Sequence, residues 1–240
     1  LGPPRRLQWT GGPRWARHHD HVASMSALVS ANGRIFYIMD EGPKASIRLP
    51  SEWYLTARDA FNGVVLWKRR ISSWWPHLFP LKSGPAVLPR RLVAVGDRVY
   101  TTLSLEGPLV ALDAATGETV MTYEGTEGTE EVIFSNGTLF VVADPGFRKP
   151  LRKFRQRWSN CWEAGRNRRV QFAWKGTERW LLAIDADTGE ILWRKKMTVA
   201  PLTLTVGEKR VYFASVDTIV ALDRSNGETV WAVSYTHLTL

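Results

Sequence analysis

Four times along this chain an aspartate is followed four residues later by a glycine: Asp59 and Gly63, Asp113 and Gly117, Asp185 and Gly189, Asp223 and Gly227. In three copies a tryptophan stands four residues beyond the glycine (Trp67, Trp193 and Trp231), and Met121 takes that place in the second copy. The chemistry is that of a tight turn. Asp can accept hydrogen bonds from the backbone ahead of it, and Gly takes positive φ without a Cβ penalty. Apolar runs such as Trp180 to Ile184 and Thr218 to Leu222 precede the turns, and short strands reaching the Trp follow them. Each copy therefore supplies two paired strands.

A second hairpin signal lies upstream of each copy, at Asn32-Gly33, Gly96-Asp97, Asn136-Gly137 and Gly207-Glu208, each followed by an apolar or aromatic run. That makes four strands per repeat, A to D. In the last repeat they are expected near 201–206, 210–215, 218–222 and 228–233. Four-stranded antiparallel units recurring at roughly 40 residues are the signature of a β-propeller, in which each blade buries its faces against its neighbours. The all-β fold expected is thus a propeller with four blades, at 22–71, 84–124, 128–196 and 198–234. The competing architecture is a sandwich of unrelated hairpins. The recurrent Trp is read as a contact between blades, since a buried indole removes much apolar area from water and still needs a partner for its N–H.

The string Ala-x-Asp-x-x-(Thr/Asn)-Gly-x-x-x-Trp, at Ala183 to Trp193 and Ala221 to Trp231, resembles the tryptophan-docking motif of the pyrroloquinoline-quinone (PQQ)-type propellers. That superfamily includes quinoprotein alcohol and glucose dehydrogenases and the non-catalytic BamB-like outer-membrane assembly proteins. The resemblance spans residues 25–233. It implies a ring of seven or eight blades, of which this chain would hold a part, and a periplasmic or cell-envelope location. Residues 1–12, with Arg6-Leu7-Gln8-Trp9, read as the outer strand of a preceding blade, and 235–240 as a foreign or truncated tail.

The single cysteine, Cys161, can form no internal disulfide. It also departs from the adjacent cysteine pair that the resemblance would require of a quinoprotein alcohol dehydrogenase. No apolar run approaches the roughly 20 residues that a spanning helix needs. The formal net charge of +9 is unevenly spread. Nine Lys or Arg residues and one acid, Glu163, lie between Arg148 and Arg169, inside a long insertion at 144–178.

In an up-and-down blade the A–B and C–D turns lie at one end, and the B–C loop and D–A crossover at the other. The long segments, 11–24, 40–53, 72–90 and 144–178, are all of the second kind, so they should gather on one rim. Elaborated loops on a rigid scaffold are where binding concentrates. The residues expected to make cationic and aromatic contacts there are Arg14, Arg17, His19, Asp20, His21, Trp74, Trp75, Arg152, Arg155, Trp158 and Arg166. Within the insertion, Leu151, Phe154, Trp158 and Cys161 or Trp162 recur at helical spacing, which predicts a short amphipathic helix with Arg152, Lys153, Arg155 and Arg157 on its polar side.

Other chemistry is weaker. The spacing of His18, His19, Asp20 and His21 is not that of a metal site, and no metal is expected. Asp40-Glu41-Gly42 and Asp144-Pro145-Gly146 occupy corresponding places in two blades, which favours structural turns. The chain contains no Gly-rich phosphate loop, Gly-x-Ser-x-Gly elbow or His-Glu-x-x-His motif. The leading expectation is a non-catalytic binding or scaffolding propeller that engages a protein or anionic ligand through its loop-rich face, without a cofactor. Two alternatives stand beside it. One is a PQQ-dependent dehydrogenase using calcium to oxidise alcohols or sugars. The other is an anion or nucleic-acid binder working through the Arg-rich insert.

Overall fold

The computed structural model describes residues 8–11, 25–43, 52–72, 74, 90–144 and 176–234. They form four antiparallel sheets of four strands each, and no helix occurs among the described residues. The first sheet holds β1 (Met25–Ala31), β2 (Arg34–Asp40), β3 (Trp53–Asp59) and β4 (Val65–Ile71) in chain order. The second holds β5 (Leu92–Val95), β6 (Arg98–Thr102), β7 (Leu109–Asp113) and β8 (Thr119–Tyr123). The third holds β9 (Thr129–Ser135), β10 (Thr138–Ala143), β11 (Arg179–Asp185) and β12 (Ile191–Met197). The last holds β13 (Thr205–Val206), β14 (Arg210–Ala214), β15 (Thr218–Asp223) and β16 (Thr229–Ser234). This is the blade architecture of a β-propeller.

The sequence dictates the turns locally. Asn32 and Asn136 take φ of 45° and 46°, and Gly33 and Gly137 take 70° and 75°, so both central residues of these A–B hairpins are left-handed as the right-handed twist of the strands demands. The C–D turns are closed by their aspartates. Asp113 Oδ1 accepts from the amides of Ala115 and Thr116 at 2.9 Å, and Asp185 Oδ1 does the same for Asp187 and Thr188. These bonds, led by the backbone amide of Thr116 or Thr188, hold both carboxyls below the ordinary aspartate range. In Asp223 the Ser225 hydroxyl is the main cause of the same lowering.

A β-bulge recurs at one place in all four C–D hairpins, just after Ala57, Ala111, Ala183 and Ala221. Each of these alanines pairs directly with the Trp or Met position of the outer strand, as Ala57 with Trp67 and Ala183 with Trp193. A methyl opposite the indole leaves room for the ring to turn toward the next blade.

Three hydrophobic cores lie between consecutive blades. The first joins Phe36, Ile38, Leu55 and Trp53 to Val99, Val110 and Leu112. The second joins Tyr100, Leu109 and Tyr123 to Val132, Leu139 and Leu182. The third joins Phe140, Leu181 and Trp193 to Val211, Phe213 and Leu222. Strands in the middle of a blade are covered on both faces, which is why β2 and β10 read as continuous apolar runs instead of alternating. The innermost strands β1, β5, β9 and β13 contact one another in sequence and line the axis side.

The outer strands complete the junctions. Trp67 Nε1 donates to the Ala114 carbonyl at 3.0 Å, and Trp193 Nε1 to the Arg224 carbonyl at 2.8 Å. Each ring lies flat against the glycine of the next blade's turn, so close that a Cβ on Gly117 would sit 2.6 Å from Trp67 and one on Gly227 would sit 2.7 Å from Trp193. Trp9 makes the same dock on the first blade, donating to the Ala60 carbonyl at 2.9 Å over Gly63. Two residues past Trp67 and Trp193 a cation reaches the same glycine's carbonyl, Arg69 to Gly117 and Lys195 to Gly227, while at the Trp9 dock Arg58 fills that role on the Gly63 carbonyl.

The second junction solves the problem differently. Met121 covers Gly189, with its sulfur 3.2 Å from where a Cβ would lie, but a thioether cannot donate. The missing hydrogen bond comes from Tyr123, whose hydroxyl donates to the Ala186 carbonyl at 2.6 Å. Tyr123 stands where Arg69 and Lys195 stand in the other junctions, two residues past the docking position. Burial pushes its phenol well above the usual tyrosine range, so it remains a donor. Trp231, on the last outer strand, is 41% exposed.

Candidate functional site

The strand registers place the ends of three of the long segments at one end of the blades. Asp40 pairs with Trp53, and Trp53 with Ile71, where the first sheet ends. Ala143 pairs with Trp180, and Arg179 with Met197, at the corresponding end of the third. The connections 41–52, 72–91 and 144–178 therefore all leave and re-enter at this end, while the tight turns lie at the other.

Two carboxylates shape the points of departure. Asp40 is buried, and its Oδ1 accepts from the amides of Gly42 and Glu52 at 2.8 Å each, clamping both ends of the first B–C loop. At the matching place in the third blade, Asp144 lies 3.6 Å from Arg179, which also pairs with Glu130 at 2.8 Å. Both aspartates act as structural turn elements.

Nearer the axis, the entries to the inner strands carry a second charged group. Arg90, just ahead of β5, pairs with Glu131 of β9 at 2.8 Å. Arg90 also donates to the carbonyls of Leu204 at 3.2 Å and Leu202 at 3.3 Å, on the crossover into the last blade. The amides of Leu204 and Leu202 donate to the Glu131 carboxylate in return. Glu131 is 2% exposed, and burial raises its carboxyl to about 7 against the pull of Arg90. Arg91 points the other way into the first interblade core. There it donates to the Leu105 carbonyl at 2.8 Å, and burial lowers its guanidinium to about 10.

Of the eleven residues expected to form a contact surface, Trp74 is described, and its position corrects the expectation. It is 4% exposed and belongs to the first interblade core with Trp53, Ile71 and Leu105, its ring 5.8 Å from the Arg91 guanidinium. An indole three residues past Ile71 folds back into the junction, where burial of its ring removes more apolar area than a rim position would. Arg14, Arg17, His19, Asp20, His21, Trp75, Arg152, Arg155, Trp158 and Arg166 lie outside the described residues, as does the expected helix of the insertion. Sequence reasoning missed Arg90, Arg91, Glu131 and Arg179. Their partners are remote in the chain and carry no local pattern.

A family model described as outer membrane protein assembly factor BamB matches residues 51–149 and 177–238, more than half of the chain. This chain belongs to that BamB-like, PQQ-type propeller family. Solved structures agree on the fold. BamB from Moraxella catarrhalis is 16% identical with a TM-score of 0.50, covering 86% of this chain and 47% of its own. Quinohemoprotein alcohol dehydrogenase from Comamonas testosteroni is 16% identical with a TM-score of 0.52, covering 90% of this chain and 36% of its own. Quinohemoprotein alcohol dehydrogenase ADHIIG from Pseudomonas putida HK5 is 16% identical with a TM-score of 0.50, covering 87% and 34% respectively. The chain thus spans less than half the length of each of these proteins. No curated protein matches it in sequence.

Because the wider fold family includes quinone enzymes, the described residues bear a test of fit. Among them no group of three or more His, Cys, Asp or Glu side chains is placed to hold a metal ion. The buried acid at the axial end, Glu131, is already engaged by Arg90 and two amides. No helix of the described residues is long and apolar enough to cross a membrane.

Proposed function

We propose that this BamB-like propeller segment is a non-catalytic protein-binding module in the cell envelope, working without a cofactor through the end that bears its long connections. The observation that carries this reading is the shared exit of 41–52, 72–91 and 144–178 from one end of a rigidly packed blade stack. Within the longest of these connections, the stretch from Arg148 to Arg169 holds nine cations against one acid. Such a surface recognises an acidic protein face, with Arg152, Arg155 and Arg166 as the cations and Trp158 as an aromatic anchor. The two ends of two of these connections are clamped, by Asp40 in one case and by Asp144 with Arg179 in the other, so the scaffold holds the ends of those loops at fixed separations.

A photo-crosslinking residue at Arg155 of the full-length parent protein is expected to trap a protein in the cell, while the same group at Thr122 on the outer wall traps none. Equal trapping at both positions would refute a dedicated face. The likeness in fold to quinohemoprotein alcohol dehydrogenases supports a second reading, a PQQ-dependent oxidoreductase. It is tested by reconstituting the full-length protein with PQQ and calcium and assaying dye-linked oxidation of alcohols and sugars. Turnover would overturn the non-catalytic proposal. Affinity for RNA or DNA that collapses with salt would instead move the partner to nucleic acid.

A further inference from the structure

The knot at the axial end ties three blades through one carboxylate. Glu131 lies on β9 of the third blade, Arg90 enters β5 of the second, and Leu202 and Leu204 lead into β13 of the fourth. The two partners of the ion pair are unequally placed, for the Glu131 side chain is 3% exposed and that of Arg90 is 49% exposed. The counter-charge is therefore shared with water, and the desolvation of the carboxylate is only partly offset. Other charges around Glu131 do not make up the difference. Glu130 beside it is a like charge, itself held by Arg179, and the fourth blade offers backbone groups only. Opposite Glu131 in the sheet stands Val142.

A second observation singles out the same knot. Leu202 has φ of +60°, a left-handed conformation otherwise held among the described non-glycine residues by the two hairpin asparagines. A leucine gains nothing locally from that conformation, so the surroundings must impose it. They do so on both sides. Thr203 Oγ1 donates to the Ala200 carbonyl at 2.7 Å and accepts from the Ala214 amide, and Leu204 is fully buried. Meanwhile Arg90 and Glu131 grip the carbonyl and amide of Leu202 itself.

We infer that Arg90, Glu131 and the 201–204 turn form a proton-operated latch at the loop-bearing end: closed when Glu131 carries a proton, loosened when it ionises. The direction follows from where the charge would go. Opening the turn lets water reach Glu131, which stabilises the carboxylate and does little for the neutral acid, so ionisation favours opening. The raised carboxyl, about 7 when closed against an ordinary 4.5, puts the change across the neutral range. The structure thus assigns a conformational role to a buried acid. The turn it governs is the crossover into the last blade, at the end from which the long loops emerge.

The test is amide exchange at Leu202 and Leu204 in the full chain, corrected for the intrinsic pH dependence of exchange. Protection is expected to fall on the order of tenfold from pH 5.5 to pH 8, the worth of one hydrogen-bond network losing its balance. Glu131→Gln, fixed in the neutral form, should hold the high protection at both pH values. Arg90→Gln removes the counter-charge, so the midpoint of the change should move to higher pH. Unchanging protection in the wild-type chain would overturn the latch, as would a pH response that persists in Glu131→Gln. Should Glu131→Gln fail to fold, an unmoved midpoint in Arg90→Gln would overturn it equally.

Discussion

Replacing Gly117 by alanine separates the two demands that the docking junction makes on its glycine. Gly117 and Gly137 both hold φ of +75°, but a Cβ on Gly137 meets nothing within 4 Å, whereas one on Gly117 sits 2.6 Å from the Trp67 ring. Gly137→Ala thus isolates the conformational penalty, roughly 1–2 kcal/mol for a left-handed L-residue. Gly117→Ala carries that penalty and must also push the indole off its seat. Displacement costs the Trp67 bond to the Ala114 carbonyl, about 1 kcal/mol, and the seat of Arg69 on the Gly117 carbonyl. Partial exposure of the ring adds about 1–2 kcal/mol more. The expected gap between the two variants is therefore about 2–3 kcal/mol, far outside the error of denaturant titration. Gly189→Ala should fall between them, because the Met121 sulfur at 3.2 Å can swing aside while an indole cannot. Equilibrium unfolding in urea, followed by circular dichroism, measures all three. If Gly117→Ala costs no more than Gly137→Ala, the ring is not seated on the glycine and the account of the junction fails.

Tyr123→Phe should destabilise by about 1–3 kcal/mol, since it strands the Ala186 carbonyl that the Tyr123 hydroxyl satisfies, and urea unfolding reports it. The double change Met121→Trp with Tyr123→Lys rebuilds the pattern of the other junctions and should recover much of that loss; the double variant unfolding no later than Tyr123→Phe would count against the swap. Trp74→Ala should cost about 3–5 kcal/mol, as expected for an aromatic 4% exposed in a packed core, and its binding effects should track stability. For Glu131, the folded carboxyl at about 7 lies above the ordinary 4.5, so its contribution to stability is complete below about 4.5 and is lost as pH rises to about 7. Wild-type stability measured relative to Glu131→Gln should therefore decline by about 3 kcal/mol over that range, and a rise would reverse the sign of the argument.

What the chain discloses before folding is whatever is settled over a few residues. The aspartate turns, the Asn-Gly hairpins and the Trp spacing are chemistry within a span of nine positions, and they carry the blade architecture with them. The Asp40 and Asp144 turns were legible for the same reason. The swap at the second junction was half legible. Met121 marks an exception, but nothing local reveals that Tyr123 supplies the donor to Ala186, 63 residues away. Trp74 was misplaced because a tryptophan in a polar connection reads as a surface contact until its fold-back into the core is seen. The knot of Arg90, Glu131 and Leu202 was invisible, since its bonds span 41 to 114 residues and depend on three blades meeting.

The docking junction is directional. The outer strand of one blade carries the indole, and the turn of the next carries the glycine and carbonyl that receive it, so each boundary has a giving side and a receiving side. Opening any boundary exposes one docking side chain, an indole or at the second junction Met121, and one bare turn, never two of either. Trp231, 41% exposed, shows what the giving side looks like with no receiver among the described residues. Indole emission shifts with contact to water, so the protein carries its own gauge of whether its Trp-docked boundaries are sealed. A receiving turn added to the last blade would register as a blue shift from that one residue, with Trp67 and Trp193 silent.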